Sequence, residues 1–387
     1  MSAARAPHAT GGADLLIRLG AALLLVSLLL PWLELRPNRL AAGEPIWLGA
    51  WAWAGGALAA GLALGARRPG VAAVLANLAV LGGVAALGQG SAAALVGESP
   101  IARVAAGGGW WLWLLGSAVG LWGAAFGARS RAAAWAWLPV TLAYVLLGGL
   151  SHWSVWQEGQ AEAGRLGQEL AQHVRLTGAA LGAGVLIGAP LAVWSAPRPG
   201  AGGVVLAVTG GIQTLPSLAL LGLLIAPLGA LGQASPLLRS LGVGGIGAAP
   251  ALVALTLYAL LPVVRNGVAA LRGVDAGALD AARGMGMTGR QMFWRVQVPL
   301  ALPVWLAGLR QATVLLIGVT AVAALIGAGG LGVYIFRGLN ASATDLILLG
   351  ALPAAGLALV ADAGWRTLEA GLARRLGLPR LPGTVSP

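Results

Sequence analysis

The sequence predicts an all-α polytopic membrane protein with about ten transmembrane helices, and three observations carry that reading. Of its 387 residues 58% are hydrophobic and only 9% are charged. The mean hydropathy is +0.84. Apolar runs of about 20 residues, the length a helix needs to cross a bilayer core, recur from one end to the other.

Composition excludes several classes of function. There is no cysteine, so neither a disulfide framework nor a thiolate metal site is available. His8, His152 and His173 are the three histidines, and their spacing fits no local metal motif. All 24 basic residues are arginine. A Walker-type phosphate loop needs a lysine that reaches the phosphates, so any ATP hydrolysis must belong to another polypeptide. The formal charge of +12 is scattered between apolar spans. That pattern orients a protein in a lipid bilayer and does not build a nucleic-acid surface. The stretch up to Thr10 is not read as a cleavable signal, because Asp14 and Arg18 precede the first apolar run.

Taken in order, the first five spans are expected at Leu19 to Leu35, Ile46 to Leu64, Val71 to Gln89, Trp110 to Phe126 and Ala132 to Leu150. Together they make residues 1–150 an N-terminal membrane unit. Small residues such as Gly55, Gly56, Ala59 and Ala60 favour close helix packing there. Its tryptophans, among them Trp47, Trp51, Trp53, Trp110, Trp111 and Trp113, sit near span ends and read as an interfacial belt.

Residues 151–175 change character. Glu158, Glu162, Arg165 and Glu169 recur at helical spacing opposite Trp153, Trp156, Leu166, Leu170 and Val174, which predicts an amphipathic linker helix on the outer surface. Five more spans are expected at Leu176 to Ser195, Val204 to Leu228, Ala249 to Val268, Ala301 to Ile326 and Leu346 to Trp365. Each carries or adjoins a proline: Pro190, Pro216, Pro262, Pro303 and Pro353. Kinked helices suit a protein that moves, so the working machinery is placed here.

Arginine placement orients the spans. With the N-terminus inside, the inner loops receive Arg5, Arg18, Arg67, Arg68, Arg129, Arg131, Arg198, Arg265, Arg272, Arg283, Arg290 and Arg295, and the tail carries Arg366, Arg374, Arg375 and Arg380. The outer side holds fewer: Arg36, Arg39, Arg103, Arg165, Arg175, Arg239 and Arg337. Both termini are therefore expected in the cytoplasm, with 371–387 as a cytoplasmic tail. Arg310 falls inside a span and should face a protein interior or reach toward the interface.

Two stretches, Gly242–Gly247 and Gly327–Gly332, satisfy G-x-G-x-x-G. Neither follows a strand or opens a strand-helix-strand unit, so neither binds a dinucleotide; both are expected to be tight outer turns. No serine, histidine and acid combine into a catalytic set, and no paired carboxylate site is expected deep in the membrane, which argues against a lone proton-coupled transporter.

The most informative stretch is Asp280 to Pro299, DAARGMGMTGRQMFWRVQVP. Helix formers behind an acid, then Gly284, Gly286 and Gly289, predict a short helix, a bend and a second short helix, with Asp280 at the positive end of the first. Asp280-Ala281-Ala282, three residues, Gly286, then nine residues to Val296-Gln297-Val298-Pro299 closely resembles E-A-A-x3-G-x9-I-x-L-P. That is the coupling-loop signature of permease subunits of ATP-binding-cassette importers.

Further stretches extend the likeness. Gly211-Ile212-Gln213-Thr214-Leu215-Pro216-Ser217, Gly284-Met285-Gly286-Met287-Thr288 and Ala324 to Gly332 resemble the glycine betaine, choline and carnitine branch, over roughly His173 to Arg375. Asp280 replaces the usual glutamate, and Val296 and Val298 replace bulkier residues.

The resemblance implies a five-helix type I permease core at 176–370, with 1–150 as an extension found in some members. Asp280, Ala281, Ala282, Arg283, Gly284, Gly286, Val296 and Pro299 would meet a partner ATPase that holds ATP and Mg. Gln213, Thr214, Pro216 and Ser217 would border a weak, polar path. It also implies a separate substrate-binding protein outside, pairing with a second permease, and location in a bacterial inner membrane. The expected cargo is a quaternary ammonium osmoprotectant moved by alternating access, with its aromatic cage in the binding protein. The alternatives are an amino-acid importer of the methionine type, or a secondary transporter working alone.

Overall fold

The structure, a computed structural model, describes residues 8–38, 41–127 and 131–377. Arg5, Arg39, Arg129 and Arg380, used above to orient the chain, lie outside them, as does the tail beyond Gly377. The chain forms two compact units, one running to Ala161 with Ala341–Asp345 added, the other comprising Glu162–Asn340 and the residues from Leu346.

The first unit is helical with a small sheet. It runs α1 (His8–Ser27), β1 (Leu33–Arg36), β2 (Glu44–Ile46), α2 (Trp51–Leu64), α3 (Pro69–Ala94), β3 (Arg103–Ala106), α4 (Gly108–Gly127), α5 (Trp137–Leu146) and α6 (Ser154–Ala161). Strand β1 lies between β2 and β3, antiparallel to both, pairing Leu33 with Ile46 and with Ala106. This corrects two expected spans. Pro31 follows the first helix, and Leu33-Glu34-Leu35-Arg36 then alternates with the period of a strand, so Leu19 to Leu35 is not one helix. In the same way β2 takes Ile46 and leaves α2 with 14 residues.

Helix α4 packs against α1 so closely that a Cβ on Gly20 would fall 2.6 Å from the Gly116 carbonyl oxygen. Trp110 and Trp113 are not interfacial: both are buried, and their indole N–H groups donate to the α3 carbonyls of Gly83 and Ala79 at 2.8 and 2.7 Å. A buried indole needs an acceptor, and these carbonyls supply it. Trp47, Trp51 and Trp53 remain exposed.

The second unit runs α7 (Ala163–Ser195), α8 (Pro199–Thr214), α9 (Ser217–Ala234), α10 (Pro236–Ser240), α11 (Ala248–Arg272), α12 (Ala276–Gly284), α13 (Gly289–Met292), α14 (Val298–Val322), α15 (Gly332–Asn340) and α16 (Thr344–Arg375). The expected linker helix over 151–175 is in fact two pieces. Helix α6 stops at Ala161, Glu162 leaves helical geometry, and 163–175 is the first third of the 33-residue α7. The expected span Val204 to Leu228 is also two helices, because the extended Leu215 and Pro216 break it. A residue before proline is driven out of helical geometry.

Helices α7 and α11 hold this unit together. Ala180, Gly184, Gly188 and Ala192 recur every fourth residue and are all buried. A Cβ at Gly184 would lie 2.6 Å from that of Ala259, so only a hydrogen lets the two backbones meet. Small residues at this spacing are how helices pack where lipid removes the hydrophobic drive between them. Pro190, Pro262, Pro303 and Pro353 lie inside helices, as does Pro227.

Among the described residues seven helices are long and apolar enough to cross a membrane: α3, α4, α7, α9, α11, α14 with its flanking turns, and α16. Two shorter apolar helices, Trp51–Leu64 and Ala133–Leu146, add to these. The protein is an all-α polytopic membrane protein.

Candidate functional site

Asp280 to Pro299 forms an arm between α11 and α14. Its first helix is capped by Asp275, whose carboxylate accepts the Ala278 N–H at 2.9 Å. Asp280 therefore lies in the helix body rather than at its start, where it meets Arg283 at 2.6 Å in an exposed pair. The helix ends at Gly284, and Gly286 adopts φ +75°, a left-handed geometry that side chains resist. A capping box then starts α13: the Gln291 side chain accepts the Thr288 N–H at 2.9 Å, and the Thr288 hydroxyl accepts the Gln291 N–H at 3.3 Å. A π-helical turn, Phe293–Gln297, feeds directly into α14, so the second helix is continuous with a span and Pro299 sits in its first turn.

Only Ala282 is buried among the residues expected to form this site. Asp280, Ala281, Arg283, Gly284 and Gly286 are exposed, and Val296 and Pro299 are half-buried. Beside them Met285 is 70% and Trp294 62% exposed. The Gln297 amide donates to the Leu271 carbonyl at 3.2 Å and ties the arm's end to α11. The arm is thus a rigid, charged surface with apolar tips.

A second polar feature lies among the helices. A cavity of about 670 Å³ is lined by Gln213 of α8, by Leu261, Pro262, Arg265 and Asn266 of α11, and by Gln311, Val314 and Leu315 of α14. Gln213 is the one expected path residue that lines it. Thr214 and Pro216 are exposed at the α8–α9 break and Ser217 is half-buried, and the Thr214 hydroxyl donates to the Gly211 carbonyl. Sequence reasoning missed Arg265, Asn266 and Gln311, although polar residues inside apolar runs were the available signal.

Position 310 turns the other way. Consecutive helical residues point about 100° apart, so Arg310 leaves the cavity to Gln311 and reaches α16. It donates to Asp362 at 3.0 Å and to Glu369 at 2.9 Å. Asp362 and Glu369 lie seven residues apart, two helical turns, and therefore share one face.

The glycine-rich stretch Gly327–Gly332 is a tight turn, held by α7. The Glu169 carboxylate accepts the Gly330 N–H at 2.7 Å, and the Gln172 amide donates to the Ala328 carbonyl at 3.1 Å. His173 is fully buried. Its Nδ1 accepts the Leu331 N–H at 3.3 Å, so Nε2 carries the proton and donates to the Ile317 carbonyl at 2.9 Å. One turn further along, Arg337 of α15 grips Glu162 through two bonds of 3.1 Å. That guanidinium holds the Glu162 carboxyl below its ordinary range, and burial with the neighbouring carboxylate pushes the Tyr334 phenol up to about 12.

Comparison with known proteins bears on both features. The family described as binding-protein-dependent transport system inner membrane component matches residues 184–374. The N-terminal domain of the ABC transporter permease YehY matches residues 13–158. The glycine betaine/carnitine/choline transport system permease protein OpuCB of Bacillus subtilis is 37% identical over 203 residues, 52% of this chain and 86% of that protein. The osmoprotectant import permease protein OsmW of Salmonella typhimurium is 41% identical over 200 residues, 52% of this chain and 88% of that one. Among solved structures, a MetNI methionine ABC transporter in an inward facing conformation superposes with TM-score 0.48 at 23% identity, covering 55% of this chain and 98% of that chain.

Proposed function

Because the chain belongs to the permease components of binding-protein-dependent ABC transport systems, on their osmoprotectant branch and with an added N-terminal membrane unit, we propose that it is the membrane subunit of an ATP-driven importer of quaternary ammonium solutes. The observation that carries this reading is the arm. A stiff segment with an exposed ion pair and two exposed apolar tips is built to be covered by a partner.

In this reading two ATPase subunits dock from the cytoplasm on the Asp280 to Pro299 arms of a permease pair. ATP and Mg stay on those subunits, since this chain has no lysine for a phosphate loop. Closure of the ATPase pair pushes the arms. Because the π turn runs into α14 without a flexible joint, displacement of the arm becomes displacement of a span. The proline-bearing helices then shift between a state open outward and one open inward. A binding protein outside selects and delivers the cargo. Both termini face the cytoplasm of a bacterial inner membrane, as the arginine distribution favours.

The test is reconstitution of the chain in liposomes with its cognate ATPase and binding protein. ATP-dependent uptake of betaine or carnitine is expected, together with loss of ATPase co-purification in Met285→Asp, which places a charge at the centre of the apolar contact. Uptake without ATP, or an undiminished ATPase complex in the variant, overturns the reading.

A further inference from the structure

The cavity between α8, α11 and α14 holds an arginine with no partner. All other lining residues are neutral, and among the described residues no carboxylate pairs with Arg265. This contrasts with Arg310 on α14, which is answered by two acids. Arg265 is exposed rather than buried, and a guanidinium that faces a cavity without a counter-ion offers its donors to an anion that arrives from elsewhere.

One neighbouring amide, Gln311, agrees with that sign. Asn266 spends its Nδ2 on the Pro262 carbonyl at 2.8 Å and on the Gln311 Oε1 at 3.4 Å. Gln311 accepts through its oxygen, and its Nε2 donors are left for the cavity. The Gln213 Nε2 is tied to the Tyr258 carbonyl at 2.8 Å. The groups left toward the space are thus a guanidinium and the Gln311 amide donor, which together suit a carboxylate, and the amide oxygens of Asn266 and Gln213, which suit the cationic end of a zwitterion. Leu261, Val314 and Leu315 supply apolar wall, and no aromatic ring lines the cavity, so nothing here recognises a bare cation by a ring face.

We propose that Arg265, assisted by Gln311, binds the carboxylate of a zwitterionic solute in transit, so that the permease itself favours carboxylate-bearing quaternary ammonium compounds over choline. The inference rests on the osmoprotectant reading for its cargo and deepens it. Betaine and carnitine carry a carboxylate, whereas choline carries an alcohol and a cation that Arg265 repels. The quaternary head of a zwitterion would lie against Leu261, Val314 and Leu315, its methyl groups meeting apolar surface.

The experiment has two arms. In the first, the wild-type chain in nanodiscs is treated with phenylglyoxal, and modification of Arg265 is followed by mass spectrometry with acetate, betaine or choline present. Acetate and betaine are expected to slow modification roughly tenfold, the size of one charge-assisted pair, and choline to leave it unchanged. In the second, Arg265→Gln in the reconstituted importer is expected to lower betaine uptake roughly tenfold, and Arg265→Lys, which keeps the charge, to retain part of it. Protection by choline equal to that by betaine, or no protection by any probe, overturns the proposal. If the wild-type importer moves no quaternary ammonium solute while acetate still shields Arg265, the cargo reading falls and the carboxylate site stands.

Discussion

The two glycine-bearing polar stretches of the second unit look alike in sequence and behave in opposite ways. Gly327–Gly332 is turned inward: Glu169, Gln172 and His173 of α7 take up its backbone groups, and Glu162 pins the following helix through Arg337. Gly284–Gly289 is turned outward, and its hydrogen bonds stay within the arm while Arg283, Met285 and Trp294 face away from the protein. A segment whose polar groups are satisfied by its own chain is structural. One that is stiff, satisfied locally and still presents charge with apolar tips has its contact surface free for another molecule.

The contrast can be broken most forcefully at His173. Replacing it with alanine leaves the Leu331 N–H buried without a partner, at about 1–3 kcal/mol, and takes from the Ile317 carbonyl the donor it has beyond the helix ladder. Thermal unfolding of the purified chain should show a loss of several degrees. An unchanged transition would mean that the inner turn is not held by α7.

A smaller effect on stability and a larger one on coupling are expected in the arm. Gly286→Val forces a β-branched residue into left-handed geometry at about 1–2 kcal/mol, with open space around the new side chain. Gly286→Asn, which tolerates that geometry, should keep solute-stimulated ATP hydrolysis where the valine variant loses it. Equal behaviour of the two variants would show that the bend is unimportant and only the bulk matters.

The smallest effect belongs to Glu162. Arg337 is partly exposed, so Glu162→Gln should cost no more than about 1 kcal/mol. The pH dependence has a definite sign. A carboxyl held below its ordinary value of 4.5 contributes stability above that pH and loses it as pH falls through the lowered value. The protection of Gly332–Asn340 amides relative to their intrinsic exchange rates should therefore hold steady from neutral pH to about 5 and fall only below that in the wild type, with no such acid step in Glu162→Gln. An acid step that persists in the variant would assign it to another carboxylate.

Much of this was legible beforehand, for a physical reason. Lipid demands long apolar helices, so α3, α4, α11 and α16 could be read from hydropathy alone. The arm could be read because its spacing of acid, glycines and proline is local, and local geometry is set by neighbouring residues. What failed was also systematic. Leu33–Arg36 needed partners 9 to 13 residues away in β2 and 67 to 73 residues away in β3 to become a strand. Trp110 and Trp113 needed the α3 carbonyls before their burial made sense. Arg265, Asn266 and Gln311 escape a reading of the sequence as one lining, because the cavity recruits them from helices that meet only in three dimensions.

The sequence by itself determined the solvent the chain lives in, the helical class, the absence of a phosphate-binding lysine and the shape of the arm, all properties of composition or of short spacing. Tertiary structure alone decided which charges are answered. The arginine distribution puts Arg265 toward the inner side and Arg310 inside a span, but neither placement says which of them meets an acid. Only the packing of α14 between α11 and α16 puts two carboxylates against one guanidinium and leaves the other facing open space.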